Sequence, residues 1–199
     1  PAATSTDPEL ARLLAKAGPE TAALRSTPRA LAKAALAEGD DDAFAAVRAR
    51  LRTRGYVCNE ELCEQRLCLG LPPTTRRVLT VGAGFGATSM ICDELLPNPA
   101  GQVVVDPGSA FFPEYLLAAK LGRFKTAQGF LGRSKQSTEM VLGDAVERFY
   151  RLAELEAVAG GPFDAVVADC EGAFLDILND APGLLEHVEW LLVEWDGPA

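Results

Sequence analysis

The stretch that most constrains this chain is residues 78–90. A four-residue apolar run, Val78-Leu79-Thr80-Val81, leads straight into glycines at alternate positions, Gly82, Gly84 and Gly86, and then into a helix-compatible run from Ala87 to Leu96. A short run of that kind reads as a buried strand, and the glycines as a tight turn that a ligand can approach with no Cβ in the way. A helix that begins there presents free N–H groups and a partial positive charge to the turn. The pattern therefore expects a nucleotide, a nucleoside or another electron-rich ligand at that point.

Strand and helix patterns alternate from Arg76 onward. Apolar runs at 78–81, 102–105, 163–168 and 188–193, with a weaker one at 124–130, read as five strands. Helical patterns occupy 87–96, 113–121, 143–158 and 173–185. The 163–168 run is apolar nearly throughout, as a strand covered on both faces requires. This alternation predicts an α/β fold, a Rossmann-like doubly wound parallel sheet. The 199 residues allow one such domain over 76–199, preceded by an N-terminal helical extension (1–55) and a cysteine-bearing connector (56–75).

The extension carries three helix-start signals. Asp7-Pro8 and Thr27-Pro28 each pair an N-cap residue with proline at the first helical position. Asp40, Asp41 and Asp42 open a third helix that turns Phe44, Val47 and Leu51 inward and ends among Arg48, Arg50, Arg52 and Arg54. Acid at the start and base at the end suit the helix dipole, so these arginines read as a solvated, dipole-compensating face. The segment is expected to cap the main domain, with a lid over the substrate as the alternative. In the connector a short helix is expected over 60–67.

A net charge of −9 argues against binding along a nucleic-acid backbone, which needs clustered Lys and Arg. Apolar runs fall well short of the ~20 residues that cross a bilayer, and no signal peptide is visible. The chain opens on Pro1, which leaves room for a processed leader and a lumenal or organellar location. Cys58, Cys63 and Cys68 are spaced five apart, which on a helix turns each thiol by about 140° from the last. They therefore share no face and lack zinc spacing, though in an oxidising compartment one or two could enter a disulfide. Cys92 and Cys170 read as small buried hydrophobes. His187 is the only histidine, which removes His-based triads and His-rich metal sites, and it reads as a surface residue. Trp190 and Trp195 read as packing residues, and Arg133 and Lys135 as a solvated loop that could touch an anionic substrate.

Three strand ends carry chemistry: the glycine turn, Asp106, and Asp169-Cys170-Glu171-Gly172. In an open parallel sheet ligands bind beyond the carboxyl ends of the strands, where strand order reverses. Asp106 follows Gly86 by twenty residues, the spacing at which a carboxylate accepts from ribose hydroxyls. Gly82, Gly84 and Ala87 also meet the dinucleotide pattern in a weak form.

Residues 78–86 together with Val103-Val104-Val105-Asp106-Pro107 resemble the first two motifs of S-adenosylmethionine-dependent methyltransferases. The run 163–178, with its Asp169, Glu171, Gly172 and Ala173, and Glu194 at the end of the fifth strand, resembles the FkbM-like members of that class. The resemblance covers about residues 76–196 and implies S-adenosyl-L-methionine as cofactor. It implies cofactor contacts from Gly82, Ala83, Gly84, Gly86, Asp106 and Asp169. Gly143-Asp144-Ala145 also looks like an adenine-side element of small O-methyltransferases, which adds Asp144. Methyl transfer to a hydroxyl, with sugars the expected class, is the implied reaction, and Asp169 and Glu171 are the implied base or acceptor-orienting groups.

Two departures stand out. Thr80 occupies the place where the first motif usually has an acidic residue, and the sequence ends before the antiparallel strand pair that usually follows the fifth strand. An open fifth-strand edge is expected to be covered by a partner, a second protomer or further chain. A methyltransferase-like fold that serves as an inactive structural or interaction subunit is the alternative reading. A nicotinamide-dependent oxidoreductase is a third, for which no Tyr-x-x-x-Lys element is present.

Overall fold

A computed structural model of the chain describes residues 40–108, 113–133 and 148–194. The two helices expected within residues 1–39, and Lys135, Asp144 and Trp195, lie outside the described residues. Five strands form one wholly parallel sheet: β1 (Val78–Val81), β2 (Val103–Asp106), β3 (Lys125–Gln128), β6 (Ala165–Ala168) and β7 (Trp190–Val193), in the order β3-β2-β1-β6-β7. β4 (Phe130–Leu131) and β5 (Phe149–Tyr150) make a separate parallel pair. The described helices are α1 (Asp40–Thr53), α2 (Leu62–Leu67), α3 (Ala87–Leu95), α4 (Pro113–Leu121), α5 (Leu152–Ala159) and α6 (Phe174–Asp180).

Alternation along the strands builds two cores. Val78, Val104, Ala165 and Val167 face α3 and α4, with Met90, Ile91, Ala118 and Phe124 between them. Leu79, Val81, Val103, Val105, Val166 and Ala168 face α5 and α6, against Leu155, Phe174 and Ile177. The sheet is thus covered on both sides, as the continuous apolar strands require. Phe44, Val47 and Leu51 of α1 and Cys68 and Leu71 of the connector belong to the first core, so this region packs on the sheet unit as a cap.

The arginines of α1 are more than a solvated face. Arg54 pairs with the fully buried Asp93 (2.8 Å) and with Glu94 (3.0 Å), and donates to the carbonyl of Leu121 (2.7 Å). Arg50 pairs with Glu94 at 2.6 Å, and Arg48 donates to Asn59 Oδ1 at 2.6 Å.

Several boundaries differ from expectation, each for a local reason. Residues 149–150, expected inside a helix, are strand β5: Phe130 N–H donates to Arg148 O, Gly132 N–H to Tyr150 O, and the rings of Phe130 and Phe149 stack at 5.7 Å. The helix begins only at Leu152, after an extended Arg151 whose N–H is bonded to Glu154. α6 stops at Asp180 rather than near residue 185, because Ala181 precedes Pro182 and leaves the helical region (φ −127°, ψ 65°). The weak third strand is split at Gly129, so that β4 leaves the main sheet for β5. The connector helix starts at Leu62, because Glu61 is left-handed. All five cysteines are free thiols; Cys92 is fully buried, Cys170 half-buried, and Cys68 is buried with Cys92 in the first core. His187 is exposed.

Candidate functional site

Strand order reverses between β2-β1 and β6-β7, so the switch point lies beyond the carboxyl ends of β1 and β6. Both ends carry the residues singled out in the sequence. The parallel ladder continues into them: Gly82 N–H donates to Val105 O (3.0 Å) and Asp169 N–H to Val81 O (2.9 Å). Gly82, at φ +79°, has room for no side chain, since a Cβ would lie 1.4 Å from the carbonyl oxygen of Asp169. The turn is therefore pressed against the end of β6 by its lack of a Cβ. Beyond it the N–H of Met90 bonds Gly86 O and α3 begins.

Asp106, closing β2, accepts from the N–H of Ala83 through Oδ2 (2.6 Å) and from the N–H of Gly108 through Oδ1 (2.7 Å). One carboxylate thereby ties the glycine turn to the next turn. Each oxygen keeps a further lone pair, enough for the two hydroxyls of a ribose.

Four other carboxyl groups gather at the switch point. Asp169 and Glu194, each just past its strand, share a side-chain hydrogen bond, and Glu194 N–H bonds Ala168 O at 2.8 Å. Burial, then Glu194, then the charges of Glu61 and Glu171, push the Asp169 carboxyl up to about 9. Glu61 is pushed up to about 7 by burial first, then by Glu64, Glu194, Glu60 and Glu171. Its carboxylate lies over the glycine turn, with Oε1 3.0 Å from where a Gly84 Cβ would stand. Glu61 (φ 53°) and Glu171 (φ 51°) are the two non-glycine residues of positive φ among the described residues. None of the ion pairs found among the described residues involves Glu61, Asp169 or Glu194.

The structure thus brings Gly82, Ala83, Gly84, Gly86, Asp106, Asp169, Glu171 and Glu194 to one end of the sheet. It adds Glu61, which sequence reasoning missed. Tyr56 joins it from the same connector, donating its hydroxyl to Phe85 O at 3.1 Å. Thr80 is fully buried one position short of the strand end, 3.5 Å from Gln102 Nε2. Among the described residues no group of three or more His, Cys, Asp or Glu is arranged to hold a metal ion, and no helix is long and apolar enough to cross a membrane.

Comparison with family models, with curated proteins and with solved structures returns no match. The fold and site by themselves define a doubly wound parallel α/β unit with an acid-rimmed glycine turn at its switch point.

Proposed function

We propose that this chain is an S-adenosyl-L-methionine-dependent methyltransferase acting on a hydroxyl of a small-molecule or glycan acceptor. One observation carries the reading: the glycine turn is rimmed by carboxyl groups. A dinucleotide would bring a pyrophosphate dianion to that turn, against the acidic side chains of Glu61, Glu171 and Glu194, with Asp169 protonated beside them. A nucleoside with a cationic group meets the opposite situation, and attraction between opposite charges in a partly desolvated cleft is worth several times its value in water. The nicotinamide reading is disfavoured on the same ground.

The residues fit such a cofactor. Gly82, Ala83, Gly84 and Gly86 offer a surface without bulky side chains, and Asp106 retains the capacity to accept from ribose hydroxyls. S-adenosyl-L-methionine supplies an activated methyl group on a sulfonium, so alignment is the main demand on the protein. We assign Glu171 the role of taking the acceptor's hydroxyl proton. Asp169, held protonated beside Glu194 at neutral pH, is assigned the orienting role.

An inactive interaction subunit is the second reading. The observation that favours it is the outer edge of β7, which has no neighbouring strand among the described residues.

Calorimetric titration of the full chain with S-adenosyl-L-methionine and S-adenosylhomocysteine tests both readings. Saturable binding that Asp106→Ala removes supports the cofactor site. A folded protein that takes up neither compound overturns the methyltransferase reading.

A further inference from the structure

A cavity of about 430 Å³ shares none of its lining residues with the switch-point site. Its walls include Arg133 and Arg151, with Asp180 beside them and an apolar floor of Leu152, Ala181 and Pro182. The volume falls within the range of small-ligand sites.

The two arginines are brought together by the β4–β5 pair. Leu131 and Tyr150 are register partners, and Gly132 N–H closes on Tyr150 O at 2.9 Å. Carried one step further, this register sets Gly132 opposite Arg151, so Arg133 stands one position beyond that pair, and both arginines line the cavity. Each is anchored through its backbone to a carboxylate: Arg133 N–H donates to Asp180 Oδ2 (2.8 Å) and Arg151 N–H to Glu154 Oε2 (2.7 Å). Neither guanidinium makes a hydrogen bond or ion pair with another described residue. The arginines Arg48, Arg50, Arg54, Arg77 and Arg123 all have theirs engaged. Two arginines with backbone-anchored positions and uncommitted guanidinium groups, beside an apolar floor, match a planar or tetrahedral oxyanion carried on an apolar body.

We propose that this cavity is a second binding site, taking a small organic phosphate or carboxylate whose anionic head is held by Arg133 and Arg151 and whose apolar part lies on Leu152, Ala181 and Pro182. The carboxylates of Asp180 and Glu154 offset the two positive charges. Recognition therefore depends on directed guanidinium hydrogen bonds more than on net field, and lysine is a poor substitute.

The test is titration of the full chain with phenyl phosphate and with benzoate, and with inorganic phosphate and phenol as probes of head and body alone. At least one of the first two should saturate with a Kd below about 1 mM, corresponding to a modest two-point site. Arg133→Ala and Arg151→Ala should each weaken it about tenfold, and Arg151→Lys should not restore it. Asp106→Ala should leave it unchanged, separating this site from the nucleoside site. Both arginines are exposed, so the variants should keep the parent's thermal unfolding; Arg→Gln replacements serve if alanine does not. Absence of saturation by both compounds at about 10 mM, or unchanged affinity in the Arg133→Ala/Arg151→Ala double variant, overturns the proposal.

Discussion

The carboxyl groups of Asp169 and Glu194 are hydrogen-bonded to each other at the ends of two adjacent parallel strands. Such a bond needs one proton, and the folded chain holds it on Asp169 up to about 9, while an unfolded Asp releases it near 3.8. Between those values the native state binds more protons than the unfolded state, so stability falls as pH rises, the reverse of a salt-bridged carboxylate. Glu61 and Glu171 face the same pair, and Glu61, raised to about 7, acts in the same direction. Thermal unfolding should therefore shift downward from about pH 5 to about pH 9. Asp169→Asn, which keeps a donor for Glu194 without a titrating group, should flatten that slope. An unaltered slope in the variant would mean that the proton resides elsewhere.

If the rim selects a cation, Glu61→Gln should weaken S-adenosyl-L-methionine, which carries the sulfonium, about tenfold while changing the uncharged thioether product little. The substitution is isosteric and leaves the left-handed backbone as it is. Equal losses for both compounds would assign Glu61 to packing over Gly84 and leave the nucleoside site itself standing.

Asp106→Asn should uncouple the glycine turn. The carboxylate receives N–H groups on both oxygens, from Ala83 and Gly108, and an amide must present its NH2 to one of them. Loss of a hydrogen bond to a charged acceptor corresponds to about 1.5–3 kcal/mol. Denaturant unfolding should show a loss of that size, together with weaker nucleoside binding. Binding that weakens at unchanged stability would instead assign Asp106 wholly to the ligand.

Gly82→Ala tests how tightly the turn is seated. Its Cβ would sit 1.4 Å from Asp169 O at φ +79°, and backbone on both sides must move to relieve that contact. The expected cost is at least about 2 kcal/mol, read as a lowered unfolding midpoint. A variant as stable as the parent would show that β1 and β6 do not end in contact.

The sheet was legible because its central strands β1, β2 and β6 are short apolar runs buried on both faces, and 78–81 and 113–121 were read to the residue. The glycine turn, Asp106, Asp169 and Glu171 were legible because each lies at or just past the end of a strand. Glu61 was not, since it lies twenty-one positions before Gly82 and reaches the turn only through the folded connector. That placement depends on Tyr56 bonding Phe85 O and on burial of Cys68 and Leu71, contacts that no local pattern announces. Phe149 and Tyr150 fit a helical stripe in sequence, but pairing with β4, more than fifteen residues away, made them a strand. The arginines of α1 misled for a related reason: dipole logic is local, and their partners Asp93 and Glu94 are about forty residues distant.

Those arginines allow a sharp contrast in energetics. Asp93 is fully buried between Arg54 (2.8 Å) and Arg123, whose backbone N–H also donates to it at 2.8 Å. Arg54 is three-quarters buried and joins α1 to α3 and to the end of α4. Arg54→Met keeps the aliphatic stem but leaves Asp93 to Arg123 alone, and removing one partner of a buried charge is expected to cost about 2–3 kcal/mol. Arg50, half-exposed in its pair with Glu94, should cost under about 1 kcal/mol when changed to Ala, because solvent screens it. A double-mutant cycle of Arg54→Met with Asp93→Asn should return a coupling of at least about 1 kcal/mol. A coupling near zero, or equal effects at Arg50 and Arg54, would mean that α1 is held to the sheet unit by Phe44, Val47 and Leu51 alone.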